Sequence, residues 1–230
     1  LARTRASISL TESHCLAMSN HRSEYFLGLD LGQSNDPSAL TVTERRTPLF
    51  ERGIGRDGYD KGTPEYTVVH IDRFKLGTSY TDVVDRVAAV KEAPETGNDP
   101  PLVMDATGVG APVVDQFQDK GLRPAQIIFS SGDQVTQDGQ KYKVPKADLV
   151  TSVETLLQAG RLEILEDLPD AEQLVEEMRR FRVKYTANGH ARFEHATEAD
   201  SDDVLLSVAC ALWFAENAPL RELRTANIPL

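Results

Sequence analysis

The sequence predicts an α/β domain built on a mixed β-sheet. Two apolar, β-branched stretches flank the turn Asn35-Asp36-Pro37, which is typical of an antiparallel hairpin. Farther along, short apolar stretches alternate with amphipathic helical stripes, which is typical of parallel strands joined by right-handed crossovers. The chain has 230 residues, of which 40% are hydrophobic, and this is enough to close one core.

The first half of the chain is predicted to alternate strands and helices. Aromatic and β-branched residues favour strands, and apolar residues spaced three and four apart favour helices. These patterns predict strands over 25–31, 38–45, 66–76, 102–104 and 125–129, and helices over 79–91 and 111–119. The segment 47–63 is rich in glycine and charge and is predicted as a loop or a hairpin extension.

The second half is predicted to be mainly helical. Helical stripes cover 146–159 and 170–181, and the stretch 203–216 is apolar nearly all round, so that this last helix must be buried. The polar segment 130–143 is predicted as a long loop or small hairpin. Tyr185 to Glu194 reads as a hairpin that turns at an Asn-Gly pair.

The ends of the chain are predicted to lie outside this domain. Residues 1–22 are expected to form a flexible N-terminal segment or linker, 23–218 the domain, and 219–230 a C-terminal tail. The chain begins with Leu rather than Met, so we expect a processed product or a fragment of a longer protein.

Composition narrows the class of protein. No stretch approaches the ~18 consecutive apolar residues of a membrane span, and the first residues lack the apolar centre of a secretory signal. Cys15 and Cys210 are the only cysteines, which excludes a disulfide framework and predicts a reducing, intracellular location. The net charge of -11 argues against generic adhesion to nucleic acid, although the basic residues form local clusters.

Two strands carry acids where chemistry is expected. Asp30 lies inside the apolar run YFLGLDLG, where a carboxylate is costly unless a cation compensates it. Gly32 would let a ligand approach the backbone beside it. Asp105 ends the apolar run PLVMD, and ligands bind at the carboxyl ends of strands in such sheets.

A third group of acids precedes the final helix. Asp200, Asp202 and Asp203 are three acids in four residues, more than helix capping needs, and a bound cation is the usual way to hold such like charges together. Acids at a strand centre, a strand end and a helix start together predict a divalent-metal site.

Each acid also has a purely structural interpretation. Asp30 and Asp105 could belong to the turns that end their strands, while Asp202 and Asp203 are favoured at a helix start by the helix dipole. Asp36 is either a turn residue or an auxiliary metal ligand, because Asn-Asp-Pro is ordinary turn chemistry.

Basic residues are candidates for phosphate contacts. Lys143 and Lys146 precede a helix, the end at which a cation gains nothing from the helix dipole, which favours a phosphate contact. Arg180 and Arg182, within the cluster 179–184, are predicted to do the same. The alternative for each cluster is a solvated face.

Five motifs follow one another along the chain: GLDLGQSNDPSAL, VMDATGVGAPVVDQF, KYKVPKADLVTSVETLLQAGRLEI, DAEQLVEEMRRF and SDDVLLSVACALWFAE. In this order, from about Tyr25 to Glu216, they resemble the nuclease domain of large terminase subunits, the DNA-packaging motors of tailed bacteriophages. The acid skeleton is shared by the whole ribonuclease H-like superfamily. The VPK-helix and the final DD-helix resemble terminases more specifically.

This resemblance implies a ribonuclease H-like fold, a central mixed sheet with helices on both faces, and cleavage of double-stranded DNA by two Mg²⁺ or Mn²⁺ ions. Carried onto this sequence, the catalytic metal ligands are Asp30, Asp105 and Asp203, with Asp202 adjoining. One departure is that many relatives have His before the final acid pair, where this chain has Asp200 and Ser201.

The resemblance also implies partners and a location. Expected partners are DNA, an ATPase motor domain, the small terminase subunit and the portal protein, in the cytoplasm of a bacterial host that carries the phage or prophage. The 230 residues hold no counterpart of the motor domain, so we expect this chain to cut DNA but not to pump it.

Two other functions fit part of the pattern. A GLDLG strand and turn, followed by a second turn with Asp and Gly, is also the phosphate-binding arrangement of actin-like and sugar-kinase-type ATP-binding domains, although these need two lobes. A catalytically silent nuclease-like docking module would keep the fold and bind no metal. Cleavage of plasmid DNA with Mn²⁺, and stabilisation by Mn²⁺ or by ATP, distinguish the three.

Overall fold

The computed structural model describes residues 20–32, 36–51, 58–97, 99–180, 182–185, 191–194 and 202–217. Its strands are β1 (His21–Asp30), β2 (Ala39–Glu51), β3 (Tyr59–Lys61), β4 (Glu65–Arg73), β5 (Leu102–Asp105), β6 (Ala125–Ser130), β7 (Thr136–Asp138), β8 (Lys141–Pro145), β9 (Leu162–Ile164), β10 (Arg182–Tyr185) and β11 (Ala191–Glu194). Its helices are α1 (Tyr80–Lys91), α2 (Ala111–Asp119), α3 (Lys146–Gln158), α4 (Ala171–Arg180) and α5 (Asp203–Asn217), with a 3₁₀ helix over Pro94–Thr96.

One mixed sheet holds most of the strands, in the order β7, β8, β6, β5, β1, β2, β4, β9, with β3 paired to the end of β2. The strands β1, β2 and β4 are antiparallel neighbours, whereas β5, β6 and β8 run parallel to β1. Helices α3, α4 and α5 pack on one face, and α1 and α2 pack on the other. The predicted mixed sheet with helices on both faces is confirmed.

Most predicted elements are present. Helix α2 covers the predicted residues, and β1 and β2 form the predicted hairpin. This hairpin is longer than expected, because β1 begins at His21 and pairs with β2 as far as Pro48, and β3 adds a further short strand. The polar segment 130–143 contains a small hairpin, β7 and most of β8. Strand β9 was not predicted, because its three residues are too few to show a periodic pattern.

Several predictions fall on parts of the chain outside the description. Strands β10 and β11 pair as the expected hairpin, but the Asn188-Gly189 turn between them is outside the described residues. The same holds for 1–19 and 218–230, so the two flanking segments stay predictions.

Strand β1 is the centre of the structure, and its side chains alternate between the two cores. Leu27 and Leu29 face α1 and α2, whereas Phe26 faces the core formed with α5. Gly28 faces α5 as well, and a Cβ atom on Gly28 would lie 1.9 Å from the carbonyl oxygen of Ser207. Helix α5 therefore lies directly against the backbone of β1 at a point where only glycine leaves room.

Helix α5 is held at both of its ends by polar side chains of other elements. Near its start, the Leu205 N–H donates to the Glu177 carboxylate of α4 at 2.7 Å. Near its end, the Arg45 guanidinium of β2 donates to the Ala215 carbonyl at 2.8 Å. An accepting carboxyl oxygen at the start and a guanidinium at the end both match the helix dipole. Glu177 and Arg45 therefore fix α5 along the sheet.

Gly32 follows β1 and packs closely against the backbone of Asp36 and Pro37. A Cβ atom on Gly32 would lie 1.9 Å from the backbone oxygen of Asp36. The expectation that Gly32 leaves its backbone open to a ligand is therefore wrong, because the returning chain fills that space. Asp36 itself is exposed.

The contact between β1 and α5 predicts a strong effect of Gly28→Ala. Because the new methyl group would collide with backbone rather than with a movable side chain, α5 must shift. We expect the free energy of unfolding to fall by about 3 kcal/mol or more. Urea unfolding followed by circular dichroism measures this. Gly132→Ala is the matched control, because nothing lies within 4 Å of its Cβ position; similar losses in both variants would contradict the prediction.

Glu177 predicts how stability depends on pH. Burial raises the pKa of Glu177 from 4.5 to about 7. Between these values the folded chain binds more protons than the unfolded chain, so stability falls as the pH rises. This residue alone contributes a fall of about 3 kcal/mol across that range.

In urea unfolding at pH 5 and pH 8 with EDTA, Glu177→Gln should show a smaller fall than the wild type. Glu176→Gln, which changes a carboxylate whose side chain is 45% exposed, should keep the wild-type fall. An unchanged fall in Glu177→Gln would show that this carboxyl group does not titrate differently in the folded chain.

Candidate metal centre

The register of the sheet brings three charged residues into one row. Ala39 of β2 pairs with Asp30 of β1 on one side and with Arg73 of β4 on the other. The parallel register of β1 and β5, extended by one residue, sets Asp105 beside Asp30. Because Asp30 lies two residues beyond Gly28, it faces α5. Asp30 and Asp105 therefore lie on the same face of the sheet, at the carboxyl ends of two neighbouring strands.

The start of α5 adds two acids above this row, and each makes a different ion pair. Lys146, the first residue of α3, sets its Nζ atom 3.1 Å from Oδ2 of Asp202. Arg73 donates two hydrogen bonds to Asp203, from Nε to Oδ2 at 2.9 Å and from Nη2 to Oδ1 at 3.3 Å. Two side-chain cations thus accompany the acids of α5.

Asp30 and Asp105, the acids of the two strands, lie in surroundings that disfavour their ionised forms. Burial raises the pKa of Asp30 well above its ordinary value, and the charges of Asp105, Asp202 and Asp203 raise it further. Burial also raises the pKa of Asp105, although its Oδ1 accepts a hydrogen bond from the Thr107 N–H at 2.8 Å. A positive charge between two such carboxylates would stabilise their ionised forms.

Asp203 is buried too, with only 3% of its side chain exposed. Burial raises the pKa of Asp203, and the hydrogen bond and charge of Arg73 oppose that rise. The guanidinium therefore offsets part of the cost of holding an ionised carboxylate under α5.

The donor atoms suit a hard divalent cation. Asp30, Asp105, Asp202 and Asp203 offer only carboxylate oxygens, which are the ligands that Mg²⁺ and Mn²⁺ prefer. Within the described ranges, however, no three His, Cys, Asp or Glu side chains converge closely enough to hold an ion as they stand. The two acids of α5 are instead directed to Lys146 and Arg73.

The remaining predicted residues lie apart from these acids or make other contacts. Asp36 is exposed on the turn after β1. Lys143 is exposed on β8, and Arg180 at the end of α4 lies 3.6 Å from Glu176. Arg182 belongs to β10, and its side chain is outside the description. Of the four predicted phosphate contacts, the structure brings Lys146 to the acid cluster.

Arg73 was missed by the sequence analysis. The predicted strand ran on through 76, which hid the fact that Arg73 is the last residue of β4. A cationic residue that shares a face with the buried Ile71, two positions earlier, is the signal that was available. It would have suggested an acidic partner on that face.

A groove of about 350 Å³ lies elsewhere, between α3 and the end of α5, where Trp213 and Glu216 line it. Trp213, the groove residue of α5 nearest to Asp203, lies ten residues farther along the helix, which corresponds to roughly 15 Å. The acids lie where β1 and β5 end, and Asp105 and Asp203 are buried there. No helix within the described parts of the chain is long and apolar enough to cross a membrane.

Comparison with known proteins gives matches among solved structures. No protein-family model matches the sequence, and no curated protein matches it. The large terminase nuclease of the thermophilic phage G20c aligns over 84% of this chain and 82% of its own, with TM-score 0.54 and 18% identity. The magnesium-bound form of that nuclease aligns over 83% and 80%, with TM-score 0.54 and 21% identity.

The large terminase nuclease domain of Thermus phage P74-26 aligns over 82% of this chain and 78% of its own, with TM-score 0.51 and 18% identity. Such identities establish a shared fold. The resemblance read from the five motifs is confirmed at this level: the chain has the ribonuclease H-like fold of large terminase nuclease domains.

Proposed function

We propose that this chain is a metal-dependent endonuclease that cuts double-stranded DNA, in the manner of the nuclease of a phage packaging terminase. The observation that carries the proposal is the gathering of acids from β1, β5 and α5 at one edge of the sheet, where the pKa values of Asp30 and Asp105 are raised by burial. The G20c nuclease, which shares the fold, has been solved with bound magnesium, and this supports the same cofactor class here.

The proposed roles follow from where each acid is held. Asp30 and Asp105 stand on adjacent rigid strands, so they would fix the position of two Mg²⁺ or Mn²⁺ ions. The pair Asp202 and Asp203 would complete the ligands from α5, and Asp36 is kept as an auxiliary ligand. Such ions, when bound, activate a water and neutralise charge on the phosphodiester.

The basic residues would bring DNA to the acids. With a net charge of -11, the chain needs a local positive surface for this task. Lys143 is exposed on β8, the strand that leads directly into α3 and Lys146. We assign phosphate contacts to Lys143 and Lys146, and to Arg180 and Arg182 farther along the chain.

The proposed setting is genome packaging in the cytoplasm of an infected or lysogenic bacterium. There the nuclease would act with an ATPase motor domain, the small terminase subunit and the portal protein. The domain bounds of 23–218, with flanking segments on either side, belong to the same proposal, with the start moved to His21, where β1 begins.

A catalytically silent module is the second candidate, and one observation favours it. The acids of α5 are already paired with side-chain cations, and no three acids in the described part of the chain close around an ion. Nicking of supercoiled plasmid with Mn²⁺, compared with EDTA, separates the two. Metal-dependent nicking supports the nuclease, and its absence in a chain that binds DNA supports the silent module.

Asp30→Asn tests the acid centre. The change removes a ligand charge and also relieves repulsion among the acids, so we expect nicking with Mn²⁺ to fall by at least about a hundredfold. Stability in EDTA should stay level or rise, because burial penalises the ionised form of Asp30 in the wild type. Plasmid nicking and urea unfolding measure the two effects.

Asp119→Asn is the control for this experiment, because it removes an exposed acid from the end of α2, on the opposite face of the sheet. Nicking by this variant should match the wild type. Wild-type nicking by Asp30→Asn would instead exclude the proposed centre.

Lys143→Ala tests the proposed DNA path. Lys143 is exposed, whereas Lys146 contacts Asp202, so the single change alters a phosphate contact without disturbing the acids. We expect weaker DNA binding and a salt dependence reduced by about one released counterion. A binding titration over a range of salt concentrations in Ca²⁺, where cutting should be suppressed, measures the slope.

Lys120→Ala serves as the control, because Lys120 is paired with Asp85 on the other face of the sheet. An equal slope for wild type and Lys143→Ala would show that DNA follows another route across the protein.

A further inference from the structure

The chain makes a tight turn where β4 ends, close to the acids. Strands β1 and β4 are both antiparallel to β2, so they run parallel to each other, and Ala39 pairs with Asp30 on one side and with Arg73 on the other. Neighbouring strands lie about 4.8 Å apart and each residue advances the chain about 3.3 Å, which sets Lys75 roughly 12 Å from Asp30. The turn over residues 75–78 is therefore a near neighbour of the acids.

Hydrogen bonds hold the 75–78 turn in one shape. The Thr78 N–H donates to the Lys75 carbonyl at 3.0 Å, and the Thr78 hydroxyl donates to the same oxygen at 2.7 Å. Gly77 has a φ of 84°, which a glycine at the third position of a turn adopts without strain. The turn therefore presents Leu76, its second residue, at a fixed place.

Both ends of the turn are attached to the segment that follows β1. Before the turn, the Phe74 N–H donates to the Ser38 carbonyl at 2.9 Å. After the turn, the Tyr80 hydroxyl of α1 donates to the carbonyl of Gly32, two residues beyond Asp30, at 3.0 Å. The position of the turn relative to Asp30 is therefore fixed from both sides.

The turn presents an apolar and a basic side chain to solvent. Leu76 is 62% exposed, more than any other large apolar side chain among the described residues. Nothing lies within 4 Å of a Cβ atom placed on Gly77, so the turn projects away from the domain. A single exposed leucine is ordinary on a protein surface, but this one stands beside an exposed lysine and close to the acids.

Lys75 differs from the cations near it. Arg73 is paired with Asp203, and Arg86 of α1 is paired with Asp72. Across the described ranges, by contrast, no acid or hydrogen-bond acceptor contacts the Lys75 ammonium. In a chain of net charge -11, an ammonium that no acid has claimed is available to an anionic ligand.

Basic residues lie on both sides of the acids along the sheet. In the strand order, β8 with Lys143 is five strands from β4, and β5 and β1, which carry Asp105 and Asp30, lie between them. Five strand spacings correspond to about 24 Å, or about seven base-pair steps of duplex DNA. A duplex that lies across the ends of the strands would reach both lysines, with the acids in between.

We propose that the 75–78 turn is a second contact for duplex DNA, in which Lys75 binds a backbone phosphate and Leu76 enters the minor groove. The distance from Asp30 places this contact about three or four base pairs from the bond that is cut. The proposal rests on the proposed function and extends it to the side of the acids that lies away from Lys143.

The chemistry of the two side chains favours DNA over a protein partner. A lysine ammonium binds a phosphate as a point charge and reads no sequence. The minor groove is about 6 Å wide, and several DNA-binding proteins insert a leucine there as an apolar wedge. A protein interface normally buries several large apolar side chains together, whereas Leu76 stands between a lysine and a glycine.

Lys75→Ala tests the phosphate contact. In a binding titration with duplex DNA over a range of salt concentrations in Ca²⁺, the salt dependence should fall by about one released counterion. Lys61→Ala is the matched control, because it removes an exposed lysine from β3, at the other end of β2 from Ala39. Equal reductions in the two variants would show that any exposed lysine has this effect and would overturn the assignment to Lys75.

Leu76→Ser tests the groove contact, and we expect it to weaken DNA binding by about fivefold or more, because an apolar contact is lost. A duplex with inosine in place of guanosine lacks the amino group that guanine places in the minor groove. The wild type should therefore bind the inosine duplex about threefold more tightly, and Leu76→Ser should lose this preference.

Leu157→Ser is the control for the groove contact, because Leu157 is exposed near the far end of α3 from Lys146. It should keep the wild-type affinity and the preference for inosine. Leu76 and Lys75 are both exposed, so the variants should fold, and circular dichroism verifies this.

The outcomes separate the two proposals. Wild-type binding by the Lys75 and Leu76 variants of a chain that nicks plasmid would overturn the role of the turn and leave the nuclease proposal intact. Weakened binding by both variants of a chain that nicks nothing would support the turn and favour the silent module. A chain that binds no duplex and nicks no plasmid would overturn both proposals.

Discussion

The contact of α5 with the backbone of β1 is the constraint on which the rest of the structure depends. Gly28 lets the helix lie against the strand, and this close approach sets the start of α5 over the ends of β1 and β5. Glu177 and Arg45 then fix the position of α5 along its axis from either end. The close packing on Gly28 fixes the distance of α5 from the sheet, and the two end contacts fix its position along its axis. The acids of β1, β5 and the start of α5 are therefore held near one another.

Charge compensation is the second organising feature. A chain of net charge -11 concentrates acids at one edge of its sheet and supplies cations to them from both sides, Arg73 from β4 and Lys146 from α3. Because a buried carboxylate without a partner is far costlier than a paired one, these cations let the fold close around its acids.

Site residues could be predicted from the sequence where the signal is a local pattern. They could not be predicted where their position depends on how distant strands pair. Asp30 and Asp105 could be predicted, since an acid within or at the end of an apolar run stands out. The alignment of Arg73 with Asp30 could not be predicted, because a β-bulge between Val42 and Thr43 shifts the pairing of β2 with β4 and so decides which β4 residues line up with Asp30. Contacts that span distant segments, such as Glu177 with the start of α5, leave no local pattern.

The order in which the acids occur along the chain has a consequence for biosynthesis. Asp30 and Asp105 precede α5, whose acids come last, and α5 must then dock across the sheet before the set is complete. Such long-range contacts form late in folding. A chain still emerging from the ribosome, or one in which α5 has opened, therefore lacks the complete acid set. Whatever chemistry these acids perform is therefore withheld until the domain has folded.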